Sequence, residues 1–292
     1  QDLVDLRRRR PAGRLIYAVA CLLFLVVFVL SWRALPSVSV QWPWIGLTAA
    51  AVPLALLLNG LEYQVAARML GYRVGVVEAF QISLLSSAAN LFPIPGSVLV
   101  RTQALREKGS EYSEGVRSTA AVGAGWVAAA FLLAGGFQLV GGSQMIAAVL
   151  LLAGIVATGG TALLARLSTE WRWWTMVILL VEAVFVAVSA VRMLGALRGI
   201  GVECTPSQAV MLTLAGALAS AAGIFPGGLG LREVLAGALA PLVAVSPAGG
   251  ALGAGVDRLV GVAVLAAAAG ALVALRSGTW GKGPDSPSPN GE

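Results

Sequence analysis

Histidine is absent from this 292-residue sequence, and lysine occurs only at Lys108 and Lys282. A chain without imidazole has no Ser-His-Asp triad, no Cys-His dyad, no histidine base and no histidine-ligated zinc. Cysteine occurs twice, at Cys21 and Cys204. The two are far apart, without CxxC spacing and too few for a disulfide framework. Cys21 lies in an apolar run and reads as a small buried hydrophobe. Charge is scarce as well: 12% of residues are charged, against about 25% in soluble domains.

What fills the chain is apolar. Hydrophobic residues make up 58% of it, and 36 glycines come on top. No soluble fold of this size has interior enough for that surface, so the sequence is that of an integral membrane protein. The basic residues include eighteen arginines, and the net charge is +6. In so apolar a chain this excess belongs to loops facing anionic headgroups, and nucleic acid is not expected as a partner. Arginine also suits phosphate and carboxylate forks better than lysine does.

A helix needs about 20 apolar residues to cross the hydrocarbon core. Eight stretches are long enough to consider: Leu15 to Ser31, Trp44 to Ala66, Val76 to Phe92, Gly115 to Val140, Ser143 to Leu164, Trp173 to Leu194, Ser207 to Phe225, and Ala248 to Leu275. The first follows Arg7-Arg8-Arg9-Arg10 and Arg14 with no small-residue cleavage site, the pattern of a retained signal anchor. The segment 1–14 is expected to be a basic cytoplasmic terminus, 15–276 one transmembrane domain, and 277–292 a disordered Gly/Pro/Ser-rich tail. Trp42, Trp44, Trp171, Trp173 and Trp174 sit at span ends, as an aromatic belt does. The glycines and alanines of Gly249 to Ala271 suit close helix packing.

Two stretches differ. Val76–Phe92 contains Gln81, Ser83, Ser86, Ser87 and Asn90 and ends in Pro93-Ile94-Pro95-Gly96; Ser207–Phe225 ends in Pro226-Gly227-Gly228-Leu229-Gly230. Broken backbone at membrane depth is tolerated only where it lines protein or a water cavity. Both are therefore expected to be re-entrant hairpins. They align without a gap as Pro-Gly, four residues and Arg, from Pro95 to Arg101 and from Pro226 to Arg232. The expected fold is an all-α polytopic membrane protein: six full spans plus two hairpins, in repeat halves of about 15–140 and 143–276. With this topology and an inside N-terminus, fifteen basic residues lie inside and five outside, namely Arg33, Arg192, Arg198, Arg232 and Arg258. That agrees with the positive-inside rule. The hairpins then open to opposite sides, and the halves have inverted topology, a known transporter plan.

Each break leads into a helix, Ser97 to about Glu107 and Leu229 to about Leu242. A helix start offers free N–H groups and a positive dipole end. Gly96, Gly227, Gly228 and Gly230 would let a ligand approach the backbone, and Arg101 and Arg232 lie one turn further on. Together they form two candidate lipid-phosphate seats. Further ionisable residues fall inside apolar stretches, where a lone charge costs at least ~2.5–3.5 kcal/mol. Arg232, Glu233, Asp257 and Arg258 suit one polar cluster. Glu182, near mid-span, suits a proton or cation coupling site, and Glu62 is expected to reach the interface with Arg68.

Ile224-Phe225-Pro226-Gly227-Gly228-Leu229-Gly230-Leu231-Arg232-Glu233 resembles the PGGLGxRE signature of the lysylphosphatidylglycerol synthase transmembrane (flippase) region family. Asp257-Arg258-Leu259 falls where that family has an arginine in the following span. Asn90-Leu91-Phe92-Pro93, with Gly96 and Arg101, is similar to its first-half motif. Where the family carries Glu-Arg after the first hairpin, this chain reads Gly123-Ala124-Gly125-Trp126. The resemblance covers about residues 15 to 275. It implies a bacterial-type plasma-membrane protein that moves anionic or aminoacylated phospholipids, or related polyprenyl and glycolipid carriers, between leaflets. Only a short tail follows the last stretch, so the fused synthase activity of some members is not expected here. An accessory subunit of an envelope-lipid enzyme is the competing reading, and an intramembrane transferase using Asp257, Glu233 or Glu182 as base a third. Membrane lipids are the expected partners, with an envelope-lipid biosynthetic enzyme and a second copy of the chain as further ones. No cofactor or metal is expected.

Overall fold

The structure is a computed structural model that describes residues 2–35, 37–90 and 96–280, with side chains over 15–35, 37–90 and 96–271. Among these residues there are ten α-helices and no strand. They are α1 (Asp2–Ala34), α2 (Trp42–Met69), α3 (Val76–Ala89), α4 (Gly96–Glu107), α5 (Tyr112–Gly141), α6 (Gln144–Ala165), α7 (Trp171–Gly199), α8 (Pro206–Ala222), α9 (Leu231–Leu239) and α10 (Pro247–Trp280). Short 3-10 turns cover Pro226–Gly228 and Ala240–Val243, so the helix expected to run from Leu229 to Leu242 is shorter at both ends. Helix α10 continues four residues into the expected tail; residues 281–292, and the expected break Pro93-Ile94-Pro95 with Leu91 and Phe92, lie outside the described residues.

Six helices are long and apolar enough to cross a membrane: Leu15–Ala34 of α1, Trp42–Met69, Tyr112–Gly141, Gln144–Ala165, Trp171–Gly199, and Pro247–Ala271 of α10. The protein is a multi-pass membrane protein. Helices α3 and α8 have 14 and 17 residues, which rise about 21 and 26 Å, short of a hydrocarbon core about 30 Å thick. Each folds back on its successor, α3 on α4 and α8 on α9.

The centre is an antiparallel pair, α2 and α7. Thr48 Oγ1 donates to the Arg192 carbonyl at 3.2 Å, and the Gln41 N–H donates to the Gly199 carbonyl at 2.9 Å. At the other end, Val65, Ala66 and Met69 of α2 share a core with Ile178, Trp171 and Trp174 of α7. Residues near 44–48 therefore lie beside 195–199, and residues near 69 beside 171. Around this pair α5 packs on α6, α7, α8 and α4, while α10 packs on α9, α1, α7 and α2.

Helix ends recur in pairs. After α2, the Tyr72 N–H reaches back to the Ala67 carbonyl across Gly71; after α7, the Val202 N–H reaches the Leu197 carbonyl across Gly201, both at 3.0 Å. Gly71 and Gly201 have φ of +85° and +81°, the left-handed cap that glycine adopts without a Cβ penalty. The same closure ends α4 at Gly109 and the turn after α9 at Ala244, with bonds from Ser110 to Leu105 and from Val245 to Ala240. Helix α3 thus leaves from the Met69 end of the central pair and α8 from the opposite, Gly199 end.

The crossing of α2 and α7 tolerates no added volume at its tightest point. A Cβ on Gly195 would overlap Thr48 Oγ1 and stand 2.9 Å from the Trp44 carbonyl oxygen. The backbone oxygen has nowhere to go, so Gly195→Val should destabilise the protein by about 1–3 kcal/mol. Thermal unfolding of the purified protein in detergent should show a clearly lower Tm; an unchanged Tm would mean that the crossing is looser than drawn.

Candidate functional site

Two clusters of charge lie within the helix body. The first is built on α2 and α4. Arg101, five residues into α4, is buried, and its Nη1 and Nη2 both donate to Glu62 Oε2 at 3.2 Å. Nη2 also donates to the Asn59 carbonyl and side-chain oxygens at 3.3 Å. Glu62 therefore does not reach the interface beside Arg68 as expected. It is buried and holds Arg101. The start of α4 is capped by Asn90, whose Oδ1 accepts from the Ser97 N–H at 2.9 Å. This side chain spans the first break and satisfies one of the free amide groups of a helix start.

The second cluster joins α7, α9 and α10. Asp257 lies between two arginines: Arg232 Nη2 donates to its Oδ2 at 2.5 Å. Arg192 Nη2 sits 3.0 Å from Oδ1 and bonds the Asp257 carbonyl at 3.4 Å. Arg258 Nε donates to Glu233 Oε1 at 2.7 Å, and its Nη1 and Nη2 donate to the Gly227 and Gly228 carbonyls at 3.0 and 3.1 Å. The expected cluster of Arg232, Glu233, Asp257 and Arg258 is present. Sequence reading missed Arg192, counted there as an outer charge, and Asn59; a charged residue two turns inside a span end was the available signal for Arg192. The carboxylates of Asp257 and Glu233 are fully buried, whereas the three arginine side chains keep 14–20% of their surface. The accessible side of this cluster is therefore cationic. Three guanidiniums stand over two carboxylates, leaving one positive charge uncompensated.

The end of α3 touches the second break. A Cβ on Gly227 would stand 3.1 Å from the Asn90 carbonyl oxygen. The glycines expected to make room for a ligand instead make room for the chain. A Cβ on Gly96 would overlap the Ala89 carbonyl, one on Gly228 would lie 2.9 Å from the Ala219 Cβ, and one on Gly230 would lie 2.9 Å from the Leu23 side chain of α1. Gly227, Gly228 and Gly230 also have positive φ, from +53° to +79°, so the turn itself requires them. Likewise neither Arg101 nor Arg232 is a free guanidinium; each already holds a carboxylate.

Glu182 stands apart from both pairings. Both of its carboxylate oxygens are buried without a hydrogen-bond partner, and its Cγ would lie 3.5 Å from a Cβ on Gly125 of α5. Trp126, next along α5, packs edge-on against Phe185 at 5.7 Å. It also borders Gly216 of α8 together with Arg232. No family model, curated protein or solved structure matches the chain.

Removing one member of a buried pair leaves an uncompensated charge and typically costs about 3–5 kcal/mol, whereas replacing both with apolar groups is often neutral. Glu62→Gln alone should therefore lower the Tm strongly, and Glu62→Met with Arg101→Met should restore most of it. A double variant as unstable as the sum of its parts would show that the two residues do not interact.

Proposed function

We propose that the protein is a lipid translocase, a transporter rather than an enzyme. On this reading it moves an anionic or aminoacylated phospholipid, or a related polyprenyl or glycolipid carrier, between the leaflets of a plasma membrane. The observation that carries the reading is the partly accessible arginine cluster: an unbalanced positive charge, founded on buried carboxylates, where two broken helices meet. Such a site lacks one thing, a monoanion, and a phosphate diester held by arginine forks supplies it.

The arrangement of helices supports a re-entrant, inverted repeat. The arms α3 and α8 are too short to span, leave from opposite ends of the antiparallel α2/α7 pair, and have touching tips. Their combined rise of about 47 Å compares with about 42 Å for α2, so two hairpins entering from opposite faces would meet near the middle. Exchanging α1–α5 for α6–α10 maps several packed pairs onto one another: α5 on α6, α7 and α4 becomes α10 on α1, α2 and α9. The paired helix ends at Gly71 and Gly201 follow the same exchange. Four of the twenty basic residues, Arg101, Arg192, Arg232 and Arg258, are ion-paired within the helix body; without them the loop bias is fourteen inside against two outside, which favours this orientation.

Within this frame Glu62 lies about 10 Å from the middle of α2 toward its inner end, and Arg192 about 10 Å from the middle of α7 toward its outer end. The two clusters flank the membrane centre. The outer one receives the phosphate directly. The inner one receives it when the phosphate displaces Glu62 from Arg101, so that one lipid passes between two arginine seats.

Loss of a charge-assisted contact of about 1.5–3 kcal/mol corresponds to roughly ten- to a hundredfold in affinity. In proteoliposomes with a tail-labelled phosphatidylglycerol, Arg232→Ala and Arg101→Ala should each slow movement in both directions by about that factor. Arg→Lys should rescue only part of it, because the fork is lost. Folded variants that move lipid at the wild-type rate would refute the seat model and leave the arginines as structural ties.

A further inference from the structure

The charge of the inner cluster is unbalanced in the opposite sense. Glu182 of α7 lies against Gly125 of α5. The charges whose fields act on it are Glu62 on α2 and Arg101 on α4; α10, also packed on α7, holds Asp257 and Arg258 in the other cluster, and α5 over Thr119–Val140, α6 and α8 contribute no charged residue. One guanidinium thus serves two carboxylates, and Glu62 has taken both of its Nη donors. Glu182 is 1% exposed, with no donor to either oxygen. An acceptor-only group without donors at this depth is satisfied by a cation. The outer cluster is one positive charge in excess, and the inner group of Arg101, Glu62 and Glu182 is one negative charge in excess.

We propose that Glu182 is a proton site and that one proton crosses the membrane with each lipid phosphate, an electroneutral co-transport that rests on the translocase reading above. The proton adds to one Glu182 oxygen from water on one side and leaves to water on the other; no bond other than O–H is made or broken. The phosphate monoanion balances the outer cluster and the proton balances the inner one, so the loaded protein carries no uncompensated buried charge. When the phosphate moves to Arg101 and displaces Glu62, the proton on Glu182 keeps two free carboxylates from facing each other. An aminoacylated phospholipid, whose headgroup amine carries its own positive charge, would gain less from the proton than phosphatidylglycerol.

The test uses the whole protein in proteoliposomes with tail-labelled phosphatidylglycerol. Membrane potential is clamped by potassium and valinomycin, and infrared spectra of the purified protein are recorded alongside. With one proton per lipid, a gradient of one pH unit should shift the leaflet ratio of the probe about tenfold at steady state. A change of membrane potential at constant pH should shift it not at all, and a sodium gradient should have no effect. Glu182→Gln should abolish the response to the pH gradient and remove a protonated-carboxyl C=O band from the infrared spectrum. A leaflet ratio that follows the pH gradient equally in Glu182→Gln overturns the proposal, as does one that follows membrane potential or sodium. If the wild type moves no lipid, the translocase reading and the co-transport fail together. In that case a carboxyl band that vanishes in Glu182→Gln still supports the proton site, and a band that persists refutes it.

Discussion

An arginine placed below the membrane surface needs a fixed counter-charge, and this requirement organises the protein. Asp257 holds Arg192 and Arg232, Glu233 holds Arg258, and Glu62 holds Arg101. Each carboxylate is on a different helix from its arginine, so the ion pairs tie α2 to α4, α7 to α10, and α9 to α10. The same guanidiniums reach backbone: Arg258 covers the Gly227 and Gly228 carbonyls freed by the second break. Without lipid-compatible partners those carbonyls would be costly. Charge pairing and chain breakage thus depend on each other, for the break exposes backbone that the arginine satisfies.

The glycines show how local geometry serves this plan. At Gly227 the chain turns through a left-handed conformation while lying against the carbonyl of Asn90 from the other break. A side chain there would both strain the turn and separate the two tips. Asn90, in turn, caps α4 through its side chain while presenting its carbonyl to the neighbouring turn. The end of α3 and the turn after α8 are therefore in contact, as α2 and α7 are along their length.

Much of this was legible in the sequence, because it was written in short-range signals. Apolar runs of membrane length located all six spans, and Pro-Gly punctuation located the turn at Pro226–Gly228; the first such break lies outside the described residues. Adjacent charges at Arg232-Glu233 and Asp257-Arg258 announced the cluster around Asp257. What was not legible depended on which helices become neighbours. Glu62 and Arg68 are near in sequence, yet Glu62 pairs with Arg101, because α4 folds back on α3 and brings Arg101 to the side of α2. Arg192 read as an interface charge until α10 placed Asp257 beside it. Gly71 and Gly201, 130 positions apart and close to the 131 that separate Pro95 from Pro226, end α2 and α7 with the same closure, and their spacing was a signal that the sequence reading did not use beside the alignment at the breaks.

The central claim is that the two interrupted segments enter from opposite faces of the membrane. It is tested most directly with a membrane-impermeant thiol reagent on a protein carrying Cys21→Ala and Cys204→Ala. Glu107 at the end of α4 and Glu203 between α7 and α8 are both exposed, and each is replaced singly by cysteine. The account predicts that Glu107→Cys reacts only from the cytoplasmic side, in everted vesicles, and Glu203→Cys only from the outer side, in intact cells. Labelling of both positions from the same side would contradict it.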